Sequence, residues 1–252
     1  MSATLRDWLK EEPFSLALSA GFFGFFAHSG VLTVVEEEGL LPQQLYGASA
    51  GAMVTGFWAS GLGLDTLRHE LFTLKRSAFW DPWPGQGLLR GRLFKENLDR
   101  ILQHRRLEDC QVPAAISVFD MKERATVVLR TGDLATAIQA SCALPVMFHP
   151  VKIGDRNYLD GGILDRPGLA GTVPGERVFY HHLASRSPWN RPGSPRIQVP
   201  KRRNTATLLI ENITRVHPFA LERGVKAYDD AARSFRAALA QPVDDGVARV
   251  VA

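Results

Sequence analysis

The sequence predicts an α/β fold with a mainly parallel central sheet. Short apolar runs alternate along the chain with segments of helical periodicity, which is typical of repeated strand–helix units. The first apolar run, Leu16 to Val35, contains no charged side chain over twenty residues, as expected where a strand is buried on both faces. The chain has 252 residues, of which 45% are hydrophobic and 22% charged, so it is long enough to bury a sizeable core.

Each predicted element has its own local signal. Strands are predicted where a short apolar or alternating run is bounded by turn residues, and helices where apolar residues recur at helical spacing. The predicted strands are SLALSA, QQLYGAS, AAISVFDM, RATVVLRTG and two short strands around the Gly-Asp turn of VMFHPVKIGDRNYLDGG. The predicted helices are AHSGVLTVVEEEG, AGAMVTGFWASGL, LDTLRHELFTL, GRLFKENLDRIL, DLATAIQASCALP and an amphipathic helix near Leu221 to Ala240. Asp133 is the predicted N-cap of the DLATAIQASCALP helix, which stops before Pro145.

Two segments are predicted to be loops. SAFWDPWPGQGLLRG is rich in Trp, Pro and Gly, and SRSPWNRPGSPRIQVPKRRN is rich in Pro and Arg. We predict one domain over residues 1–252, with a motif-bearing core at about 14–185 and a basic loop and C-terminal helix over 186–252.

The opening run also has the length of a membrane span, which needs about 20 apolar residues. Three glycines and His28 interrupt it, and acidic residues precede and follow it. We therefore interpret the run as a buried strand, a glycine turn and a helix. Two cysteines, Cys110 and Cys142, do not form a disulfide framework, so a reducing, cytoplasmic location is expected.

The net charge of +4 is concentrated in one region. Residues 196–236 contain nine Lys or Arg and four Asp or Glu. This excess indicates either a solvated basic face or a peripheral contact with an anionic membrane surface. Nucleic acid is not expected as a partner, because no zinc-finger spacing, aromatic RNA-binding signature or basic heptad accompanies the charge.

The sequence Gly47-Ala48-Ser49-Ala50-Gly51 lies between a predicted strand and a predicted helix. This Gly-x-Ser-x-Gly pattern is typical of a nucleophile elbow, in which a sharp turn exposes the serine hydroxyl at a helix N-terminus. The Ala50 amide and the positive end of the helix can then stabilise an oxyanion. The alternative is an ordinary Gly/Ser-rich turn.

A nucleophilic serine needs a base, and several side chains are candidates. His181, His182 and His217 lie downstream but in no recognisable motif, and His28 falls within a predicted helix, so structural roles are favoured for all four. Asp160-Gly161-Gly162 ends a predicted strand 111 residues after Ser49. Taken alone, Asp-Gly is also a common hairpin turn.

The segments LYGASAGAM and AIQASCALPVMFHPVKIGDRNYLDGG, with the glycine turn before AHSGVL, resemble the patatin-like phospholipases, a family similar to the catalytic domain of cytosolic phospholipase A2. The resemblance covers roughly Leu16 to Pro167. It implies a three-layer α/β/α fold and hydrolysis of lipid esters by a Ser–Asp dyad, with Ser49 as nucleophile and Asp160 as general base. It implies neither a metal nor a cofactor.

The glycine turn differs from the family pattern, which has a run of glycines, a variable residue, a basic residue and another glycine. The resemblance places the oxyanion hole at the amides of Gly21, Phe22 and Phe23, together with Ala50. Here Gly24 occupies the position of the basic residue, and bulky residues replace two glycines. The added phenylalanines either line an acyl pocket or pack in the core. After Gly162, Asp165-Arg166-Pro167 stands where the family often has Asn before Pro.

The leading interpretation is a serine acyl hydrolase acting on phospholipid, lysophospholipid or acylglycerol esters. The alternative is a lipid- or partner-binding member in which the altered turn has weakened catalysis. A transacylase or thioesterase would share the acyl-enzyme and differ in the acceptor. Trp80 and Trp83 in the FWDPWPG loop either form an interfacial lid or pack into the core. The oligomeric state is not predicted.

Overall fold

The computed structural model describes residues 3–183, 198–243 and 246–252. The helices of these residues are α1 (Leu5–Glu11), α2 (Phe25–Glu37), α3 (Ala50–Ala59), α4 (Leu64–Phe72), α5 (Arg92–Ile101), α6 (Leu134–Ser141) and α7 (Arg223–Ala238). The strands are β1 (Ser15–Leu18), β2 (Gln44–Ala48), β3 (Gly87–Leu89), β4 (Ala114–Asp120), β5 (Ala125–Leu129), β6 (Val146–Phe148), β7 (Val151–Ile153), β8 (Arg156–Asp160), β9 (Val178–His182), β10 (Thr205–Glu211) and β11 (Val247–Val251).

The main sheet confirms the predicted α/β class. Its strand order is β11-β10-β9-β1-β2-β4-β8-β7, and β5 pairs with β4 beside this path. From β11 to β4 all neighbouring strands are parallel, whereas β5, β7 and β8 form antiparallel pairs. The sheet is therefore mainly parallel, as predicted.

The charge-free opening run is divided between β1 and α2. All four residues of β1 are buried, and α2 is buried from Phe25 to Val35. This burial explains the absence of charged side chains from the run. Among the described residues, no helix combines the length and apolar character that a membrane crossing requires.

Side chains alternate between two faces of the sheet, as strand geometry dictates. Leu16 and Leu18 of β1 belong to the large core that also includes α2, α3, α6 and α7. Ala17 points to the opposite face, where a smaller cluster is formed by Ala17, Tyr46, Ala115, Val178 and Tyr180. Apolar side chains thus pack on both faces of the sheet.

Several strands were not predicted from the sequence. β9 carries two histidines, and β10 and β11 lie in the region interpreted as a basic loop and a C-terminal helix. The Trp-rich segment, predicted to be a loop, contains β3, which pairs in parallel with β6 in a small second sheet. Most of the Pro/Arg-rich segment, namely residues 185–197, lies outside the described residues. The assignment of residues 1–252 to one domain stays a prediction.

Candidate active site

Ser49 lies at the turn between β2 and α3. Its backbone has φ 53° and ψ −120°, and it is the N-cap residue of α3 without a capping bond from its own side chain. A positive φ at a non-glycine residue costs about 1–3 kcal/mol and clusters at functional sites. The strained turn leaves the Ser49 hydroxyl free to point away from the helix.

Glycines of the Ser49 elbow and of the Asp160 turn allow backbone segments to come unusually close. A Cβ atom at Gly51 would lie 2.0 Å from the carbonyl oxygen of Leu18, and one at Gly161 would lie 2.1 Å from that of Ser117. At Gly47 a Cβ would lie 2.6 Å from the backbone of Gly51. Alanine at these positions would therefore force α3 or the Asp160 turn away from the sheet.

The structure brings Ser49 and Asp160 together, although 111 residues separate them. Ser49 Oγ donates a hydrogen bond of 2.7 Å to Asp160 Oδ2. The other carboxylate oxygen, Oδ1, accepts a 2.7 Å bond from the amide of Gly162. Both oxygens of the carboxylate are thus fixed, one by the serine and one by its own turn.

Burial changes the acidity of this carboxyl group. Asp160 is 4% exposed, and desolvation raises its pKa to about 6, although the bonds from Ser49 and Gly162 and the charge of Arg166 act in the opposite direction. A carboxylate with a raised pKa is a stronger base than an exposed aspartate. The environment therefore suits Asp160 to accept a proton near neutral pH.

A serine on α6 holds the backbone of Ser49. Ser141 Oγ accepts a 2.8 Å bond from the Ser49 amide and donates a 2.7 Å bond to the carbonyl oxygen of Ser117 in β4. The neighbouring Cys142 thiol donates to the Ser49 carbonyl oxygen at 3.2 Å, and burial raises the pKa of this thiol. The C-terminal end of α6 thus holds both the amide and the carbonyl group of Ser49.

The glycine turn follows β1 and faces Ser49. Gly24 is the N-cap of α2, and its amide donates to Gly21 O at 2.9 Å, while Phe23 adopts a positive φ of 54°. Within the described residues, the amides of Gly21, Phe22, Phe23 and Ala50 donate to no protein acceptor. Backbone donors that line a cavity without a protein acceptor are available to a ligand.

Ser49 and Asp160 open into an apolar cavity of about 360 Å³. Gly21, Phe22, Phe23 and Ala50 line the same cavity. Seven phenylalanines contribute to its wall: Phe22, Phe23, Phe25, Phe57, Phe79, Phe94 and Phe148. The phenylalanines of the glycine turn therefore line the cavity, and Phe25 also belongs to the core, with Phe23 packed against it. Both interpretations offered by the sequence thus apply in part.

The histidines lie away from this cavity, since none of its described lining residues is a histidine. His28 Nε2 donates to Ser19 O at 2.8 Å, so its Nδ1 accepts the 2.8 Å bond from His181 Nδ1. Burial lowers the pKa of His28 to about 4 and also lowers that of His181. Both rings are therefore neutral at neutral pH and support β1 and β9 from within the core.

The two tryptophans of the predicted lid loop differ in environment. Trp80 is half-buried against Phe219, at a ring-centroid distance of 5.8 Å, while Trp83 is 58% exposed beneath Arg90. The strand pair β3–β6 places this loop beside Val146, which lines the cavity and is 72% exposed. An apolar surface thus borders the cavity.

Sequence reasoning missed two residues of the site. Nothing in the pattern distinguishes Ser141 from other helical serines, and Arg166 was noted only as a departure from the family pattern. In the described part of the chain, no cluster of three or more His, Cys, Asp or Glu side chains has a metal-binding arrangement.

A mainly parallel sheet with a serine elbow and a buried carboxylate at hydrogen-bond distance defines a restricted class of α/β proteins. The family model of the patatin-like phospholipases matches residues 16–171, more than half of the chain. The chain belongs to this family. The three-layer arrangement is confirmed by a solved structure, VipD from Legionella pneumophila, with a TM-score of 0.65 and 14% identity over 90% of this chain and 67% of that chain.

Curated relatives match between half and two thirds of the chain. An uncharacterized NTE family protein of Mycobacterium tuberculosis is 31% identical over 155 residues, which are 60% of this chain and 43% of the relative. The lysophospholipase NTE1 of Saccharomyces cerevisiae is 24% identical over 164 residues, which are 62% of this chain and 10% of that protein. The chain thus spans less than half the length of these relatives.

Replacement of Ser141 by alanine tests the support of the elbow. The Ser141→Ala variant leaves the Ser49 amide and the Ser117 carbonyl without their shared partner, where both Ser141 and Ser117 are buried. We expect a loss of about 1–3 kcal/mol in the free energy of unfolding, measured by urea denaturation.

The matched control is Ser60→Ala. Ser60 is also fully buried, but its hydroxyl bonds only to Phe57 O within its own helix end. We expect a smaller loss for Ser60→Ala than for Ser141→Ala. Equal losses would contradict a special role of Ser141.

Proposed function

We propose that this chain is a serine acyl hydrolase that cleaves carboxylic esters of lipids, with Ser49 as nucleophile and Asp160 as general base. The 2.7 Å bond from Ser49 Oγ to Asp160 Oδ2 at the wall of an apolar cavity carries the proposal. Membership of the patatin-like phospholipases supports it. The similarity to the yeast lysophospholipase NTE1 supports a lipid ester as substrate.

The acylation step follows from the contacts of the two side chains. Asp160 takes the proton of Ser49 Oγ as that oxygen attacks the ester carbonyl, and the carbonyl oxygen becomes an oxyanion. The free amides of Gly21, Phe22, Phe23 and Ala50 are positioned around this side of the cavity and are the proposed donors to the oxyanion. Collapse of this tetrahedral intermediate breaks the ester C–O bond, leaves the acyl group on Ser49, and transfers the proton from Asp160 to the leaving alcohol.

Deacylation repeats the step with water. Asp160 takes a proton from the water, the resulting hydroxide attacks the acyl-serine, and Ser49 Oγ recovers the proton as the acid leaves. Nucleophile, base and oxyanion donors all come from the chain, so the proposed reaction requires neither a metal nor a cofactor. The phenylalanine-lined cavity is the proposed site of the acyl chain.

The dyad is tested by hydrolysis of p-nitrophenyl esters of increasing chain length. We expect kcat/KM of the wild type to rise about fourfold per methylene until the cavity is filled, because each buried methylene contributes about 0.8 kcal/mol. Ser49→Ala and Asp160→Asn are each expected to lower kcat/KM by about a thousandfold or more.

Two variants serve as controls for this experiment. Ser60→Ala changes a buried serine at the end of the same helix, and Asp155→Asn changes an exposed acid in the hairpin that leads to Asp160. Both are expected to keep wild-type activity, and circular dichroism verifies the fold of all four variants. Binding of lipid without turnover by the wild type would contradict the proposal.

The raised pKa of Asp160 predicts the pH dependence. The base is active only when ionised, so kcat/KM should fall as the pH decreases through an apparent pKa of about 6 and should level off above it. The pH–rate profile on a neutral ester measures this. An acidic limb near the usual aspartate value of about 4 would contradict a buried, desolvated base.

We further propose that the chain contacts membranes peripherally through the apolar surface beside the cavity. Trp83 and Leu88 are exposed on the loop that includes β3, and Arg76 and Arg90 lie against the Trp80 and Trp83 rings. Exposed Trp and Leu with nearby cations suit an anionic lipid interface.

Vesicle sedimentation tests this contact with Leu88→Glu. We expect about a tenfold weaker partitioning onto phosphatidylglycerol vesicles, because an apolar side chain that enters the interface is replaced by an anion. The control is Leu41→Glu, a leucine that is at least as exposed as Leu88, precedes β2 and so lies at the opposite edge of the sheet from Ser49. Equal effects of the two variants would contradict the assigned surface.

A further inference from the structure

The glycine turn, residues 19–24, connects β1 to α2 and supplies three of the proposed oxyanion donors. Among the described residues, the amides of Gly21, Phe22 and Phe23 donate to no protein acceptor. Their orientation is therefore not fixed by hydrogen bonds of their own. Oxyanion donors are effective when they are held in place before the reaction begins, so the contacts at the two ends of the turn decide how well it can work.

His28 forms hydrogen bonds with both ends of the glycine turn. Its backbone amide donates to Gly24 O at 3.0 Å, which is the first helical bond of α2. Its side-chain Nε2 donates to Ser19 O at 2.8 Å, back across the turn to the end of β1. One residue of α2 thus connects the first and the last residue of the turn.

A second histidine fixes the proton of the His28 ring. His28 Nδ1 accepts a 2.8 Å bond from Nδ1 of His181, which lies on β9 opposite Leu18 of β1. A neutral imidazole has one donor and one acceptor nitrogen, so this bond leaves the proton of His28 on Nε2, facing Ser19 O. His28 is completely buried, and burial lowers its pKa to about 4, which keeps the ring neutral.

Leu183 also packs against the turn. Its amide donates to Ser19 Oγ at 2.9 Å, so the hydroxyl as well as the carbonyl group of Ser19 is held. A Cβ atom would lie 2.6 Å from Leu183 Cδ1 at Gly21 and 2.2 Å from it at Gly24, so this side chain lies directly on both glycines. The two glycines have no side chains that could fix the turn, and its shape therefore depends on these neighbours.

We propose that His28 is a positioning residue of the oxyanion hole. Its Nε2–H bond to Ser19 O holds the glycine turn in the shape that directs the free amides toward the oxyanion. His28 is not among the residues that line the cavity, so it acts on the reaction only through the backbone of the turn. The inference rests on the proposed function, because an oxyanion forms only if the chain transfers an acyl group.

A positioning role differs from a purely structural role in what it changes. Loss of the bond to Ser19 should lower kcat, whereas KM, which reflects binding of the ground state in the apolar cavity, should stay nearly constant. It should also reduce the discrimination between an ester and its thiono analogue, since sulfur accepts hydrogen bonds more weakly than oxygen. A histidine that only stabilises the core would leave both kcat and this discrimination unchanged in the folded protein.

The test compares p-nitrophenyl octanoate with its thiono analogue, in which sulfur replaces the carbonyl oxygen. His28→Gln places an amide nitrogen near the position of Nε2 and can keep the bond to Ser19 O, whereas His28→Asn places its amide near the position of Nδ1 and cannot reach Ser19. His28→Leu has no donor. The control Thr33→Val removes a buried hydroxyl that donates to Ser29 O at 3.0 Å in the same helix. Urea denaturation defines conditions under which each variant is folded.

We expect His28→Asn and His28→Leu to lower kcat on the octanoate by about a hundredfold, with KM within about twofold of the wild type. Their loss of kcat on the thiono ester should be about tenfold or less, because fewer hydrogen bonds are there to be lost. His28→Gln and Thr33→Val should stay within about fivefold of the wild type on both esters. If only His28→Asn fails to fold, His28→Leu gives the same comparison.

Three results would overturn the inference. These are an equal fall in kcat on both esters in the variants without a donor, activity of these variants equal to that of His28→Gln, or a failure of all three His28 variants to fold. In each case, hydrolysis by the wild type that depends on Ser49 would leave the proposed function intact. No hydrolysis of either ester by the wild type would refute the proposed function itself, and His28 would then have no oxyanion hole to position.

Discussion

The arrangement of the site depends on one buried contact, the hydrogen bond between Ser49 Oγ and Asp160 Oδ2. Each partner is held in an unfavourable state that the surrounding fold imposes. Ser49 has a positive φ, and Asp160 is a carboxyl group almost completely removed from water. An isolated buried carboxylate is strongly disfavoured, and here the Ser49 hydroxyl and the Gly162 amide compensate part of that cost. The part of this cost that is not compensated raises the pKa of Asp160.

The glycines of the two motifs explain how the contact is reached. Gly51 lets α3 approach the end of β1, and Gly161 lets the Asp160 turn approach β4. A side chain at either position would overlap a carbonyl oxygen, so the motifs are requirements of packing as well as of chemistry. The Ser141 hydroxyl then bonds α6 to the Ser49 amide and to β4, so the geometry of Ser49 depends on the elbow, α6 and β4 together.

Local signals were sufficient where the chemistry depends on short motifs. The elbow, the Asp160 turn and the strands that carry them were predictable, because turn residues and buried apolar runs lie next to one another in the sequence. β9 to β11 were not predictable in the same way. The β9 sequence VFYHH has two histidines, which fit the core only because His28 of α2 and Tyr180 supply hydrogen-bond partners. Such partners are distant in sequence, as are those of Arg166, whose guanidinium position is set by Leu183. The glycine turn lies between these cases: its amides stay predicted oxyanion donors, and the sequence alone did not decide whether its phenylalanines line a pocket or pack in the core.

The most direct test of a nucleophilic Ser49 is covalent trapping with a long-chain alkyl fluorophosphonate, followed by mass spectrometry of the digested protein. We predict one adduct per chain on the peptide that contains Ser49, with labelling strongly slowed in Asp160→Asn because the base is lost. The folded wild-type protein remaining unlabelled, or being labelled on a different serine at the same rate in wild type and Asp160→Asn, would contradict the account.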